Sequence, residues 1–484
     1  MSLSSEVAKN NVIFADGNIV SALFSFIFSV VVAGLLQPEQ FGLFSFVLVI
    51  TGFFTIFIDL GTSSTMIKFM AEFIDKREAG KAGTLLRVFL KFRVSMSLAV
   101  GLFMVLFSNQ IAVLVFNKPD AGFLVMLAAG LLIANSVFDF VNMLLVALKS
   151  FKYIAGLRLL ERLFRLAFVV SIVLMGFGAV GAVGGVILGF VVMGAIGFLL
   201  LMRYKSVIMA KRGRFSGSTI LKFSFWSMLG YIITSLYTMT DTLLVSMLRP
   251  TADVGFYSIA SSWMSLIIYV VPVSSLVMLP YFSSMGKERN SSALKNSMRY
   301  IMLIAMPIGF LMSAFSAPII RIFYGGSFIS ASGALGFLSL VAIPMVISQV
   351  MLSYFYGIGK PKLHGIITAA ALAANVILNV VLIGWFGIAG EAAGTLLARI
   401  IEISIFLSVI AFSMKVVLPW HDILKPLAAS LVIYILGSML AVQGIVMLVV
   451  CGVALLAFYV AVMVAIGGLG WGETRRMLGT LKFW

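Results

Sequence analysis

Residues 181–202 read GAVGGVILGFVVMGAIGFLLLM, a run of 22 residues without a charged side chain. An α-helix needs about 20 apolar residues to cross the ~30 Å hydrocarbon core of a bilayer, so this run predicts a transmembrane helix. The whole chain has this character, because 62% of its 484 residues are hydrophobic and 11% are charged, with a mean hydropathy of +1.16. Soluble domains have about a quarter of their residues charged. The composition therefore excludes a cytosolic enzyme, a disordered protein and a secreted disulfide scaffold, and predicts an all-α integral membrane protein.

Fourteen hydrophobic stretches of this kind predict fourteen transmembrane helices. They cover residues 12–36, 42–64, 89–107, 121–147, 154–177, 181–202, 221–247, 256–284, 298–317, 332–357, 364–385, 388–413, 422–443 and 445–467.

The Lys and Arg residues are distributed very unevenly between the connections. Thirty of the 34 lie in the termini, in the even-numbered connections or in the parts of the spans that adjoin them, whereas the odd-numbered connections hold only Lys118, Arg249 and Arg321. Cytoplasmic loops are enriched in Lys and Arg, so the pattern predicts a multi-pass cell-membrane protein with both termini cytoplasmic. Because topology explains the net charge of +17, that charge does not require nucleic acid as a partner.

Three short motifs occur twice, in the same order. Residues 41–45 (FGLFS) match residues 254–258 (VGFYS) at an offset of 213 residues. Lys152 matches Lys362 at an offset of 210 residues. Residues 177–181 (FGAVG) match residues 386–390 (FGIAG) at an offset of 209 residues. The near-constant offset predicts two six-helix lobes, residues 1–210 and 211–415, followed by two further helices and a cytoplasmic tail in 416–484. Because each lobe has an even number of helices, the lobes should be related by a pseudo-two-fold axis along the membrane normal. Two such lobes enclosing a cavity are typical of transporters.

Motifs spread over nearly the whole chain resemble those of one transporter family. Residues 35–42 (LLQPEQFG) resemble the family's LLGPEEFG turn, and residues 319–325 (IIRIFYG), followed by Ser330 and Ala331, are similar to its iixlxfGxxfxxa element. Further similar elements are Asp59-Leu60-Gly61, Asp241 with 254–260 (VGFYSIA), Leu279-Pro280, 359–362 (GKPK), and Asn375 with Asn379. The chain thus resembles the polysaccharide-biosynthesis (Wzx-like) flippases of the multidrug/oligosaccharidyl-lipid/polysaccharide exporter superfamily. One departure is Gly34, which stands where the family commonly has Arg.

The resemblance implies a transporter and not an enzyme. Its substrate would be a polyprenyl-(pyro)phosphate-linked oligosaccharide, moved from the inner to the outer leaflet by alternating access coupled to H⁺ or Na⁺. The implied partners are this lipid-linked glycan, the lipid bilayer and glycan-assembly proteins, with no cofactor. In agreement, the single Cys451 and the two histidines, His364 and His421, leave little material for a metal centre.

Two other functions remain open at this stage. A cation-coupled multidrug exporter of the same fold should have a lumen rich in carboxylates. A membrane glycan polymerase would need a large outer loop with acid and base residues, whereas the longest predicted outer connections, 108–120 and 318–331, are short and poor in carboxylates.

The fifth predicted span contains a stripe of three arginines. The apolar run 166–177 is twelve residues long, about 18 Å at 1.5 Å per residue, so the membrane-embedded helix must reach back across Arg165, Arg162 and Arg158. These positions share one helical face. An arginine inside a membrane costs about 2.5–3.5 kcal/mol, so the stripe predicts a cationic lumen that binds the substrate phosphate. The alternative is a set of anchors that snorkel to the headgroups.

Other charges lie inside predicted spans. Arg399 and Glu402 are spaced i, i+3 in the twelfth span and can pair with each other; the alternative is that Arg399 contributes to the substrate site. A coupled transporter needs a carboxylate that binds and releases the ion. The candidates are Asp139, Asp241, Glu402 and Asp59, for each of which helix capping or a local salt bridge is an equal explanation.

Overall fold

The computed structural model describes residues 3–204, 210–211, 213, 217–270, 282, 287–413 and 420–468, and that part of the chain contains no strand. Its longer helices are numbered here in chain order: α1 Leu3–Asp59, α2 Thr62–Asp75, α3 Ala79–Leu106, α4 Gly122–Ala147, α5 Phe151–Ile172, α6 Gly178–Leu201, α7 Gly217–Leu248, α8 Thr251–Val270, α9 Lys287–Ala314, α10 Ser316–Tyr324, α11 Ala331–Gly357, α12 Pro361–Ser408, α13 Trp420–Ser438 and α14 Ile445–Ala465. The predicted all-α fold is confirmed.

Within the described ranges, nine helical segments are long and apolar enough to cross a membrane. Three of them each cover all or most of two consecutive predicted spans: Leu23–Asp59, Lys152–Tyr204 and Pro361–Phe412. The last two have 53 and 52 residues, close to 80 Å of helix at about 1.5 Å per residue, which is more than twice the ~30 Å hydrocarbon core. The two remaining predicted spans, 256–284 and 422–443, overlap α8 and α13, and residues 271–281 and 283–284 of the former lie outside the described residues. The fourteen predicted spans are therefore accounted for.

Each doubled segment bends where the sequence predicts a loop between spans. In α1 the bend is at Gln37 (φ 61°, ψ 168°), one residue before Pro38. In α12 it is at Gly387, and α5 is joined to α6 by a π-helical turn, Val173–Phe177, that contains Gly176 at φ 91°. A left-handed residue interrupts the helical hydrogen bonds, so the chain can reverse in very few residues.

The repeated motifs have the same backbone geometry in both copies. Gly178 has φ 52° and ψ −140°, and its equivalent Gly387 has φ 61° and ψ −141°. This conformation is essentially restricted to glycine. Three residues later, a Cβ on Gly181 would lie 2.6 Å from Phe177 Cβ, and a Cβ on Gly390 would lie 2.8 Å from Phe386 Cβ. The glycines of this motif are therefore required by the tight reversal in each copy.

The second repeated element is a helix ending. After α4, Lys149 has φ 56° and after α11 Gly359 has φ 75°. The next amide in each case bonds back to the helix, from Ser150 N to Leu145 O and from Lys360 N to Phe355 O. This is the Schellman arrangement that satisfies the last helical carbonyls.

The chain forms two compact units, Met1–Ser258 and Ile259–Trp484. The first has a core at the end predicted to be cytoplasmic, in which α2, α3 and α4 pack through Met66, Leu85, Phe140 and their neighbours. The second packs α9, α11 and α12 through Met302, Phe355, Phe406 and their neighbours. The lobe boundaries expected from the duplication, 1–210, 211–415 and 416–484, stay a prediction. The predicted Leu279-Pro280 element and the tail beyond residue 468 lie outside the described residues.

Candidate functional site

A charged network within the described part of the first unit is centred on Arg93, a residue that the sequence pattern marks only as a cytoplasmic positive charge. Its guanidinium is buried, with 4% of the side chain exposed. Nε donates to the backbone oxygen of Ser136 at 3.1 Å and to its hydroxyl at 3.2 Å. Nη1 donates to Asp59 Oδ2 and to Ser63 Oγ, both at 3.4 Å. Nη2 lies 3.7 Å from Asp139 Oδ2. One arginine of α3 thus joins α1, α2 and α4.

Asp59 is held by a sharp turn between α1 and α2. Its carboxylate accepts hydrogen bonds from the amide and the hydroxyl of Ser63. Gly61, at φ 70°, allows α7 to approach: a Cβ there would lie 2.6 Å from Met228 N. The Asp59-Leu60-Gly61 element therefore has a structural explanation, because it places a capping carboxylate against Arg93 at a helix crossing that only glycine permits.

Asp139, on α4, is the more accessible carboxylate of the network, with 44% of its side chain exposed against 10% for Asp59. It lies about 12 Å along the helix from the end of α4 at Ala147, given a rise of about 1.5 Å per residue. Arg158 and Glu161 of α5 lie close enough to act on its charge. Tyr231 of α7 lies within electrostatic range of the same carboxylate.

The arginine stripe of α5 continues from this network. Arg158, Arg162 and Arg165 are all half-buried. Arg162 donates from Nη1 to the hydroxyl of Ser25 on α1. Arg165 Nε lies 3.3 Å from the buried Glu161 Oε1, and its guanidinium carbon lies 5.0 Å from the ring centroid of Phe28. Arg162 and Arg165 are thus turned towards α1 within the helix bundle.

Together these side chains form what is called here the charged cluster. It comprises Arg93, Arg158, Arg162 and Arg165 with Asp59, Asp139 and Glu161. Four guanidinium groups face three carboxylates, so the cluster is cationic in net charge. It can bind an anion through forked N–H donors, since the half-buried arginines keep accessible surface.

In the second unit, Arg399 and Glu402 form the predicted pair. Arg399 Nη1 donates to Glu402 Oε2 at 2.9 Å, and the exposed fractions of the two side chains are 10% and 0%. Glu402 Oε1 also accepts from Thr368 at 3.3 Å. This geometry favours the structural ion pair among the two interpretations of these residues. The substrate role of Arg399 and the coupling role of Glu402 stay predictions.

A second polar network lies one helical turn from this pair, between the two arms of α12. Asn379 Nδ2 donates to Glu391 Oε1 at 2.9 Å and to Thr395 Oγ1 at 3.1 Å, and Asn375 Nδ2 donates to Thr395 Oγ1 at 3.0 Å. All four side chains are buried. The motif asparagines therefore tie the two arms together below the Gly387 bend. Asp241, the remaining carboxylate candidate, lies half-buried on α7.

Comparison with known proteins identifies the family. Residues 31–333, well over half of the chain, match a family model described as "Polysaccharide biosynthesis protein". The chain belongs to this family. Among curated proteins it is similar to the succinoglycan biosynthesis transport protein ExoT of Rhizobium meliloti, with 24% identity over 68% of this chain and 65% of the relative. It is also similar to the probable low-salt glycan biosynthesis flippase Agl15 of Haloferax volcanii, with 25% identity over 37% of this chain and 39% of the relative.

A third relative, the uncharacterized membrane protein MJ1068 of Methanocaldococcus jannaschii, is 24% identical over 36% of each chain. The chain thus aligns with between about a third and two thirds of the length of these curated relatives. Among solved structures, the lipid II flippase MurJ in an inward closed conformation superposes on this chain with a TM-score of 0.74. The two sequences are 18% identical, and the superposition covers 93% of this chain and 98% of that chain. A point mutant of the MATE transporter VcmN of Vibrio cholerae gives a TM-score of 0.61 at 16% identity over 85% and 98% of the two chains. These likenesses establish that the chain shares the all-helical fold of these two proteins.

Proposed function

We propose that this protein is a flippase that moves a polyprenyl-(pyro)phosphate-linked oligosaccharide from the inner to the outer leaflet of the cell membrane. The observation that carries the proposal is the charged cluster, in which four arginines stand against three carboxylates. Three of these arginines, Arg158, Arg162 and Arg165, are half-buried on one membrane-embedded helix. Cationic side chains inside a membrane are costly and are retained where they bind a charged partner. A lipid-linked phosphate is such a partner, because its apolar tail can stay in the bilayer while the head binds the arginines.

The arginines would act by replacing water around the phosphate. Each guanidinium offers planar, paired N–H donors that match two oxygens of a phosphate. Glu161 would hold Arg165 in place through its 3.3 Å contact, and Arg93 would be a positioning residue, because it is buried and already bonded to Asp59, Ser63 and Ser136. The substrate-contacting residues are therefore proposed to be Arg158, Arg162 and Arg165.

Coupling to H⁺ or Na⁺ is the finer part of the proposal. Asp139 is the best candidate within the charged cluster, because 44% of its side chain is exposed beside Arg93. Asp59 and Glu402 are nearly enclosed by their partners. Binding of a cation at Asp139 would remove a negative charge that competes with the phosphate for the arginines. We also propose cytoplasmic termini and glycan-assembly proteins as partners.

A multidrug exporter is the competing function, and the likeness to VcmN bears on fold alone. An organic cation would be repelled by a cluster with excess guanidinium charge. A glycan polymerase is less well supported, since the described connections on the predicted outer side, between α3 and α4 and between α9 and α11, are occupied by short helical turns.

The test is reconstitution of the purified full chain in liposomes. Two probes are compared: a fluorescent polyprenyl-pyrophosphate glycolipid, followed by leaflet-specific quenching, and a fluorescent organic cation, followed by efflux. Flipping of the glycolipid without movement of the cation supports the proposal. Movement of the cation alone would establish the exporter, and release of polymerised glycan would establish the enzyme.

A further inference from the structure

The two copies of the FG/VG motif touch each other through their glycines. A Cβ on Gly42 would clash with Thr251 O and would lie 3.0 Å from Ala252 Cα. A Cβ on Gly255 would lie 3.0 Å from both the Cα and the N of Gly42. Backbone therefore packs on backbone where the second arm of α1 crosses the start of α8. This contact, formed by Gly42, Gly255, Thr251 and Ala252, is called here the glycine seam.

A lysine in the connection between α3 and α4 forms hydrogen bonds close to the glycine seam. Lys118, in the connection between α3 and α4, donates from Nζ to the backbone oxygens of Ser246 and Arg249, the latter at 3.1 Å, and to Phe116 O at 3.3 Å. Ser246 and Arg249 lie at the C-terminal end of α7, where helical carbonyls have no partner within the helix. The ammonium also lies 5.2 Å from the ring centroid of Phe46. Lys118 thus caps α7 next to the glycine seam.

These contacts also explain the extent of the first compact unit. It ends at Ser258 and therefore includes α7 and the start of α8, which belong to the second copy of the sequence repeat. The glycine seam and the hydrogen bonds of Lys118 hold α7 and the start of α8, from the second copy of the repeat, against elements of the first copy. All of these residues lie in connections, or at helix ends, on the side where the charge distribution predicts the exterior.

We infer that the glycine seam and the Lys118 cap form a closed outer gate, and that this gate must separate whenever the substrate is released to the outer leaflet. The inference rests on the proposed transport function. Glycine is needed on both sides, because helices can close backbone to backbone only if no side chain intervenes. Transport would then require a seam that is tight when closed and held by few bonds, so that it can open. The two bonds from Lys118 Nζ to the backbone oxygens of Ser246 and Arg249 are the polar contacts broken on opening.

The chain carries its own reporter for this gate. Lys118 is the one lysine in the predicted outer connections, as Arg249 and Arg321 are the other basic residues there. A membrane-impermeant acylating reagent added to intact cells should therefore modify this lysine alone. Burial lowers the pKa of Lys118 below its ordinary value, so protonation protects it from acylation no more than it protects the lysine of a free peptide. Slower modification than that of the peptide would therefore report a closed gate.

The experiment measures the rate of Lys118 acylation by mass spectrometry in the wild type, Gly42→Ala, Gly255→Ala and Gly34→Ala. Gly34 is the matched control, because a Cβ there meets nothing within 4 Å although it lies in the same helix as Gly42. A methyl group forced into a tight contact destabilises the closed state and should shift the ratio of closed to open protein about 5- to 100-fold towards the open state. The rate of Lys118 acylation should therefore rise by that order in Gly42→Ala and Gly255→Ala but not in Gly34→Ala.

The outcomes separate clearly. Equal rates in all four proteins, at equal levels in the membrane, would overturn the gate, and so would a wild-type Lys118 that reacts as fast as a free lysine peptide. Modification only after the cells are permeabilised would place Lys118 in the cytoplasm and also overturn it. Because no substrate is involved, failure here leaves the phosphate site untouched, and failure of glycolipid flipping leaves the gate measurement valid.

Discussion

Arg93 and Asp59 form a buried ion pair of 3.4 Å between α3 and the end of α1. Removing one partner of such a pair leaves an uncompensated charge, which costs about 3–5 kcal/mol. Arg93→Ala should therefore lower the unfolding midpoint of the detergent-solubilised protein strongly and reduce its level in the membrane. Lys91→Ala, an exposed basic position on the same helix, is the matched control and should change neither.

The double variant Arg93→Met with Asp59→Asn decides whether the pair itself is responsible. Removing both charges should recover part of the stability that Arg93→Met alone loses. If Arg93→Ala is as stable as the wild type, or if the second substitution only adds to the loss, Arg93 does not organise this region as described.

Gln37 is a second place where stability can be tested. Its backbone, at φ 61° and ψ 168°, lies in a region that is essentially restricted to glycine and costs a non-glycine residue about 1–3 kcal/mol. The similar family motif LLGPEEFG has glycine here. Gln37→Gly should therefore raise the unfolding midpoint, whereas Glu39→Gly, at an exposed helical position two residues on, should lower it. A lower midpoint for both variants would show that the bend at Gln37 is not strained.

Topology is predicted from the charge distribution and can be checked directly. Reporter fusions placed after Lys118, Arg249 and Gly387 should all be external, because these positions lie in odd-numbered connections. A cytoplasmic signal at any one of the three would disrupt the register of the spans and the repeat that depends on it.

Much of the fold follows from the sequence, because hydrophobic runs and glycine motifs act locally. Gly178 and Gly387 can be matched by their sequence motifs alone, and the pairing of Arg399 with Glu402 follows from i, i+3 spacing. The role of Arg93 does not follow, since its partners Asp59 and Asp139 come from other helices. A usable signal is nevertheless present: Arg93 lies four residues inside the predicted span 89–107, where an anchoring charge is not needed. The structure also shows that α3 begins at Ala79, ten residues before that span.

The coupling role of Asp139 has its own test. Asp139→Asn removes the charge but keeps the size of the side chain, so flipping driven by a proton or sodium gradient should lose its dependence on that gradient. Asp75→Asn is the control, because this exposed carboxylate pairs with Lys149 at 2.9 Å outside the charged cluster. Unchanged gradient dependence in well-inserted Asp139→Asn would exclude Asp139 as the coupling group.

The central claim is that Arg162 and Arg165 contact the lipid-linked phosphate. The decisive measurement is the glycolipid flipping rate of Arg162→Ala, Arg165→Ala and the corresponding Lys variants in liposomes, at matched protein content. Lys152→Ala, an exposed basic residue at the start of the same helix, is the control.

Loss of a charge-assisted contact should weaken substrate binding by about 1.5–3 kcal/mol, roughly tenfold to a hundredfold. The Lys variants should keep part of the activity, because the charge survives but the paired donors do not. Arg158→Ala should be milder, since Arg158 lies nearest the start of α5, which the charge distribution predicts to be cytoplasmic. Folded Arg162→Ala and Arg165→Ala proteins that flip the glycolipid at the wild-type rate, as Lys152→Ala should, would contradict the account.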